Sequence, residues 1–112
     1  MADYEFLSSL EKKVYAWLSQ REIPFTSQER MFGIAELGSA TVDFIIGERR
    51  LALRCMGSYW HSSMEAKARD LLGKEKLIEK GYVVVDLWEE DLADDRIDRT
   101  MELALEGVEM LK

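Results

Sequence analysis

Val42-Asp43-Phe44-Ile45-Ile46, a short link at Gly47-Glu48, and then Leu51-Ala52-Leu53-Arg54-Cys55-Met56-Gly57-Ser58-Tyr59-Trp60-His61 decide how this chain reads. Thr41 to Ile46 and Arg49 to Cys55 are two apolar strands, and a link this short makes them antiparallel neighbours. Alternation along the first strand puts Asp43 on one face with Thr41 and Ile45. A carboxylate buried among Val, Phe and Ile costs several kcal/mol unless a cation, a hydrogen-bond donor or a proton compensates it. Asp43 is therefore the first candidate for chemistry. The second strand runs into a polar and aromatic cluster, Gly57 to His61, where a site could be completed.

Upstream, Ser8-x-x-Glu11 is a capping-box pattern, and Leu7, Leu10, Val14 and Leu18 recur at helical spacing, which predicts a first helix ending near Arg21. Ile23-Pro24-Phe25 turns the chain into a short extended segment through Gln28, and Gly33 and Gly38 frame a loop or hairpin connection. Downstream, Ser62-x-x-Glu65 opens a second helix that stops at Gly81, with Met64, Ala68, Leu71, Leu72 and Ile78 as its inner face. Tyr82 to Trp88 is a buried-strand run reached through that helix, hence parallel to a neighbour. A last helix, about Asp94 to Leu111, buries Ile97, Met101, Ala104, Val108 and Leu111. The expected fold is α/β, one mixed sheet flanked by helices, in a single domain spanning 1–112.

The 112 residues are 47% hydrophobic and 33% charged, the balance of a globular domain with one core. No apolar run reaches the roughly 18 residues of a membrane span, and Met-Ala-Asp-Tyr-Glu lacks the basic and apolar regions of a signal peptide, so the expectation is a cytoplasmic protein with no membrane partner. The lone cysteine, Cys55, excludes an internal disulfide and a multi-cysteine zinc site. A net charge of −7 opposes a DNA coat, although a metal ion or a local basic patch, such as Arg49, Arg50 and Arg54, overrides the average field. The plain alternative is that these arginines decorate a turn and strand edge.

With this element order, Glu11 in the first helix, Phe25-x-x-Gln28, Val42-Asp43-Phe44, Gly57-x-Tyr59-Trp60-His61, Arg69-Asp70 and Gly81-Tyr82-Val83-Val84 through Leu87-Trp88-Glu89 are similar to the PD-(D/E)XK nuclease superfamily. Its core is αβββαβ, the restriction-endonuclease-like fold, and within it the chain most resembles very-short-patch-repair mismatch endonucleases. The resemblance implies a magnesium-dependent DNA endonuclease, nicking or repair in type. It places magnesium on Asp43 and on the backbone carbonyl of Cys55, proton transfer on His61 with Asp70 orienting it, and support from Glu11. Tyr59 and Trp60 resemble the aromatic pair that repair endonucleases insert beside a mismatch; core or edge packing is the simpler role for them and for Trp17 and Trp88.

The chain departs from the superfamily on the second strand, where an acid and a following Lys or Asp are usual and Arg54 and Met56 stand here. A guanidinium pointing into the site would repel a divalent cation, and a thioether is no hard-metal ligand. Lys67 on the following helix is the one substitute for the strand lysine. Each candidate keeps a structural alternative: Asp43 in a buried ion pair with Arg54, Asp70 paired with Lys67 or Lys74, His61 packed on Trp60 at a helix entry, and Cys55 as an inert strand thiol. Two functions follow, a working nuclease or a catalytically inactive nuclease-fold subunit that associates with DNA, a protein partner or a second copy.

Overall fold

The computed structural model describes residues 7–27 and 42–110. Helix α1, Ser9–Gln20, starts at the capping box read from the sequence. The Ser8 hydroxyl accepts the Glu11 amide at 3.2 Å, and Glu11 Oε1 accepts the Ser8 amide at 2.7 Å, which satisfies two otherwise orphaned donors. Strands β1 (Thr26–Ser27), β2 (Phe44–Ile46) and β3 (Leu51–Cys55) follow, then helix α2 (Met64–Glu79), strand β4 (Val83–Leu87) and helix α3 (Ile97–Leu105). The sheet order is β1-β2-β3-β4, antiparallel at the first two junctions and parallel between β3 and β4. This is the αβββαβ order with a C-terminal helix.

Alternation along the strands sorts side chains onto two faces. Phe44, Ile46, Leu53 and Leu87 meet Val14 and Leu18 of α1 and Met101 of α3 in the larger core. Ile45, Ala52 and Val84 point the other way, onto Leu77 of α2, in a smaller cluster. The same period puts Arg54 with Ala52, and Asp86 with Val84, on the α2 side, and the parallel register sets Arg54 against Asp86. Among the described residues, no helix is long and apolar enough to cross a membrane.

Several expectations are corrected. The Gly47-Glu48 hairpin is a longer link: Gly47–Arg49 forms a 3₁₀ turn and Arg50 takes a left-handed conformation, so β3 begins at Leu51 and Arg49 lies outside it. The chain bends at Asp43, which precedes β2. Val42 and Ile45, three residues apart, consequently share the α2-side cluster, while the Asp43 carboxyl meets Glu11 of α1 rather than the face of Ile45. Thr41, Gln28, Gly33 and Gly38 lie outside the described residues.

The face chosen for α2 is also wrong. Met64, Leu71, Leu72 and Ile78 are 87%, 57%, 58% and 51% exposed, Ala68 is exposed as well, and the buried positions are Gly73 and Leu77. Polar contacts set this rotation: Arg54 Nη2 donates to the Asp70 carbonyl at 3.0 Å, Lys74 pairs with Glu109, and the Tyr82 amide donates to the Leu77 carbonyl at 3.2 Å. The cap is Ser63, one residue later than read, whose hydroxyl accepts the Ala66 amide. Gly81, at φ 95°, ends the helix as expected, in a conformation L side chains rarely adopt. Helix α3 is shorter than read, and Val108 beyond it is exposed; Leu111 lies outside the described residues.

Candidate functional site

A cavity of about 310 Å³ opens beside the carboxyl end of β3, lined by Asp43, Arg54, Cys55, Met56, Ser62, Asp70 and Trp88. Asp43 enters it from the bend before β2. Its Oδ2 accepts the Cys55 amide at 2.6 Å, and its carboxyl shares a hydrogen bond with Glu11. Burial raises the Asp43 pKa, the Glu11 carboxyl raises it further, and together they overcome the Cys55 amide and the more distant Arg54 charge to bring it up to about 8. Glu11 moves the opposite way, held below its ordinary value chiefly by the hydrogen bond from Asp43. Near neutrality the pair holds one proton between two carboxyl groups.

Arg54 does not form the expected ion pair with Asp43. Its Nε donates to Asp86 Oδ1 at 2.6 Å and its Nη2 to Asp86 Oδ2 at 2.9 Å, a bidentate fork buried on both sides. The guanidinium charge is thus met within the sheet, which removes most of its objection to a cation at Asp43. Arg49 and Arg50 do not join it in a basic patch. Arg49 Nη1 donates to the Leu105 carbonyl, and Arg50 donates to the carbonyls of Lys80 and Gly81, so each arginine caps the end of a helix.

Asp70 is half-buried on α2 and lines the cavity, and the pairings expected with Lys67 and Lys74 do not form. Lys67 Nζ lies 3.9 Å from the centroid of the Tyr59 ring and is not part of the cavity lining. His61 is exposed, on the turn in which the Ser62 amide donates to the Tyr59 carbonyl, one residue before the cavity wall. Tyr59 stacks edge-on against both Trp60 and Trp88 at 5.0 Å, and Trp60 is 67% exposed, whereas Trp17 and Trp88 are buried. Gly57, at φ 55°, turns the chain out of β3, and Glu90 holds the loop by accepting from the Ser58 hydroxyl and the Tyr59 amide. Burial, reinforced by the Asp43 and Glu11 charges, pushes the Cys55 thiol up, so it stays protonated and is a poor nucleophile.

The structure therefore brings Asp43, Cys55 and Asp70 around one cavity, with Glu11 behind Asp43 and hydrogen-bonded to it, and leaves His61 next to the lining residue Ser62. Asp86 and Glu109 were not anticipated. The signal for Asp86 was present, since Val83-Val84-Val85-Asp86-Leu87 is also an apolar strand carrying one acid. Glu109 accepts from both Lys74 and the Asp86 amide, and nothing in its local sequence announces that contact.

No family model and no curated protein matches the sequence. A solved structure does. The chain is similar to the catalytic domain of the homing endonuclease I-Bth0305I. The two superpose with a TM-score of 0.64 at 22% identity, over 91% of this chain and 99% of that domain. At that identity the match shows a shared fold.

Proposed function

We propose that this chain is a DNA endonuclease domain that hydrolyses phosphodiester bonds with a divalent metal, magnesium by preference. The observation that carries the proposal is the Glu11–Asp43 pair: two carboxyl groups, one from helix α1 and one from the bend before β2, held against each other where Asp43 lines a cavity, with one proton between them. Such an arrangement costs stability and gains sense when a cation replaces the proton. The fold of a homing endonuclease catalytic domain and the resemblance to repair endonucleases of the PD-(D/E)XK type support the same reading.

The donors present fit a hard cation. Glu11 and Asp43 supply carboxylate oxygens, the Cys55 carbonyl is assigned as a third ligand, and the Cys55 thiol, kept protonated, does not attract a soft metal instead. A cation bound there supplies activation of water and neutralisation of the departing oxygen. The Cys55 amide holds Asp43 in place, the Ser8 cap holds Glu11, and His61, next to the lining residue Ser62, is assigned proton transfer, with Asp70 orienting it.

A second reading has support of its own. Among the described residues, no three His, Cys, Asp or Glu side chains gather as a metal cluster, and Arg54, paired with Asp86 of β4, stands at the strand position where the PD-(D/E)XK pattern carries an acid. That reading is an inactive nuclease fold retained as a DNA- or protein-binding subunit. Nicking of supercoiled plasmid and of a mismatched duplex, with magnesium or manganese and a chelator blank, separates the two. The nuclease reading expects metal-dependent cutting that falls roughly a thousandfold, about 4 kcal/mol, in Asp43→Asn. No cutting by folded protein on either substrate selects the second.

A further inference from the structure

We infer that Arg54 is an anion-binding residue, and that the ligand it takes in the cavity is a non-bridging oxygen of a DNA phosphodiester; this rests on, and deepens, the nuclease reading. The side chain is only 3% exposed. Two of its three guanidinium nitrogens are committed, Nε and Nη2 to Asp86 and Nη2 also to the Asp70 carbonyl. Among the described residues Nη1 has no hydrogen-bond partner, yet no buried side-chain nitrogen there lacks one. Nη1 is therefore the part of Arg54 that reaches open space, and the space it borders is the 310 Å³ cavity. That volume corresponds to roughly ten waters at about 30 Å³ each, ample for a tetrahedral oxyanion.

The chemistry of Arg54 complements that of Asp43, which lines the same cavity with Glu11 behind it. Asp43 and Glu11 repel an anion until a cation or proton neutralises them, whereas Nη1 offers two charged donors to an oxygen lone pair. Asp86 fixes the guanidinium plane, so little side-chain entropy remains to be lost when an oxyanion arrives. A nearly neutral Arg54–Asp86 unit also binds the oxyanion without expelling a cation from Asp43. The arginine that stands where the PD-(D/E)XK pattern places an acid thus supplies hydrogen-bond donors to the same cavity.

The test uses the whole chain with isotope-labelled arginine and follows the Arg54 guanidinium nitrogen-proton signals, which the Asp86 fork protects from solvent exchange. Metal-free protein is titrated with inorganic phosphate and, separately, with a short DNA duplex. The inference expects a saturable shift of the Arg54 signals with both probes, and Arg54→Lys, which keeps the charge but loses the fork, to weaken duplex binding about tenfold. Absence of a shift with either probe overturns it, as does a shift with phosphate and none with duplex, because the cavity would then admit only a free ion. Cutting by the native chain without an Arg54 shift overturns this inference and spares the nuclease reading. A shift with both probes and no cutting with any metal does the reverse.

Discussion

Two apolar runs of this chain each carry one acid, Asp43 at the bend ahead of β2 and Asp86 within β4, and their surroundings are opposite. Asp86 meets a guanidinium in bidentate geometry, and its backbone amide donates to Glu109 Oε1 at 2.8 Å. Asp43 meets another carboxyl and one backbone amide, and its pKa climbs to about 8. A buried acid with a cation beside it is finished as architecture. One facing a second acid at a cavity is unfinished, and the missing positive charge is what a ligand can bring.

The sharpest way to break the comparison is to unpair Asp86. Arg54→Ala leaves a buried carboxylate without its cation and is expected to cost about 3–5 kcal/mol in denaturant unfolding, while Arg54→Met with Asp86→Leu recovers most of that loss. A single-variant cost below about 1 kcal/mol would remove the closed half of the contrast. Asp43→Asn tests the open half. In the metal-free chain Asp43 binds its proton more tightly folded than unfolded, so it stabilises fully below the ordinary value of 3.8, and that stability is lost as pH rises through about 8. Asn takes no part in this titration and can accept the Cys55 amide while donating to Glu11. The variant should therefore show a flatter profile between those pH values and greater stability than the native chain above pH 8, by several kcal/mol.

Smaller effects sharpen the account. Glu11→Gln removes the second cause of the Asp43 shift and leaves the first, burial, in place; the Asp43 midpoint should fall yet stay above the ordinary value, as followed by carbon NMR of its carboxyl. Ser8→Ala deletes the helix cap that steadies Glu11 and should cost about 1 kcal/mol in thermal or denaturant unfolding. The Arg54–Asp86 signals should not change in that variant, since the cap touches only the open acid.

Much of this was legible before any coordinates. The Ser8-x-x-Glu11 box placed α1, the short link made β2 and β3 antiparallel neighbours, the crossover through α2 made β4 parallel to a neighbour, and an acid within Val-Phe-Ile marked Asp43. Asp86 is equally an acid within an apolar run, but its register with Arg54 across a parallel pair is visible only once β3 and β4 are aligned. The rotation of α2 was illegible for a different reason. Counting apolar residues favours the Met64–Leu71–Ile78 side, but the helix is anchored by Arg54 to a carbonyl, by Lys74 to Glu109 and by Leu77 to a small cluster, contacts between elements distant in sequence. The bend at Asp43 escaped strict alternation in the same way, because it answers to Glu11 on α1.

The central claim is that Asp43 is the open acid of the pair, held protonated by burial and Glu11 until a cation arrives. Titration of its carboxyl by carbon NMR, first in chelator and then with saturating magnesium, tests this most directly. The account predicts a midpoint near 8 without metal and a marked fall on adding magnesium, as the cation replaces the proton. A midpoint near 3.8 in chelator, or one that magnesium leaves unmoved, would contradict it.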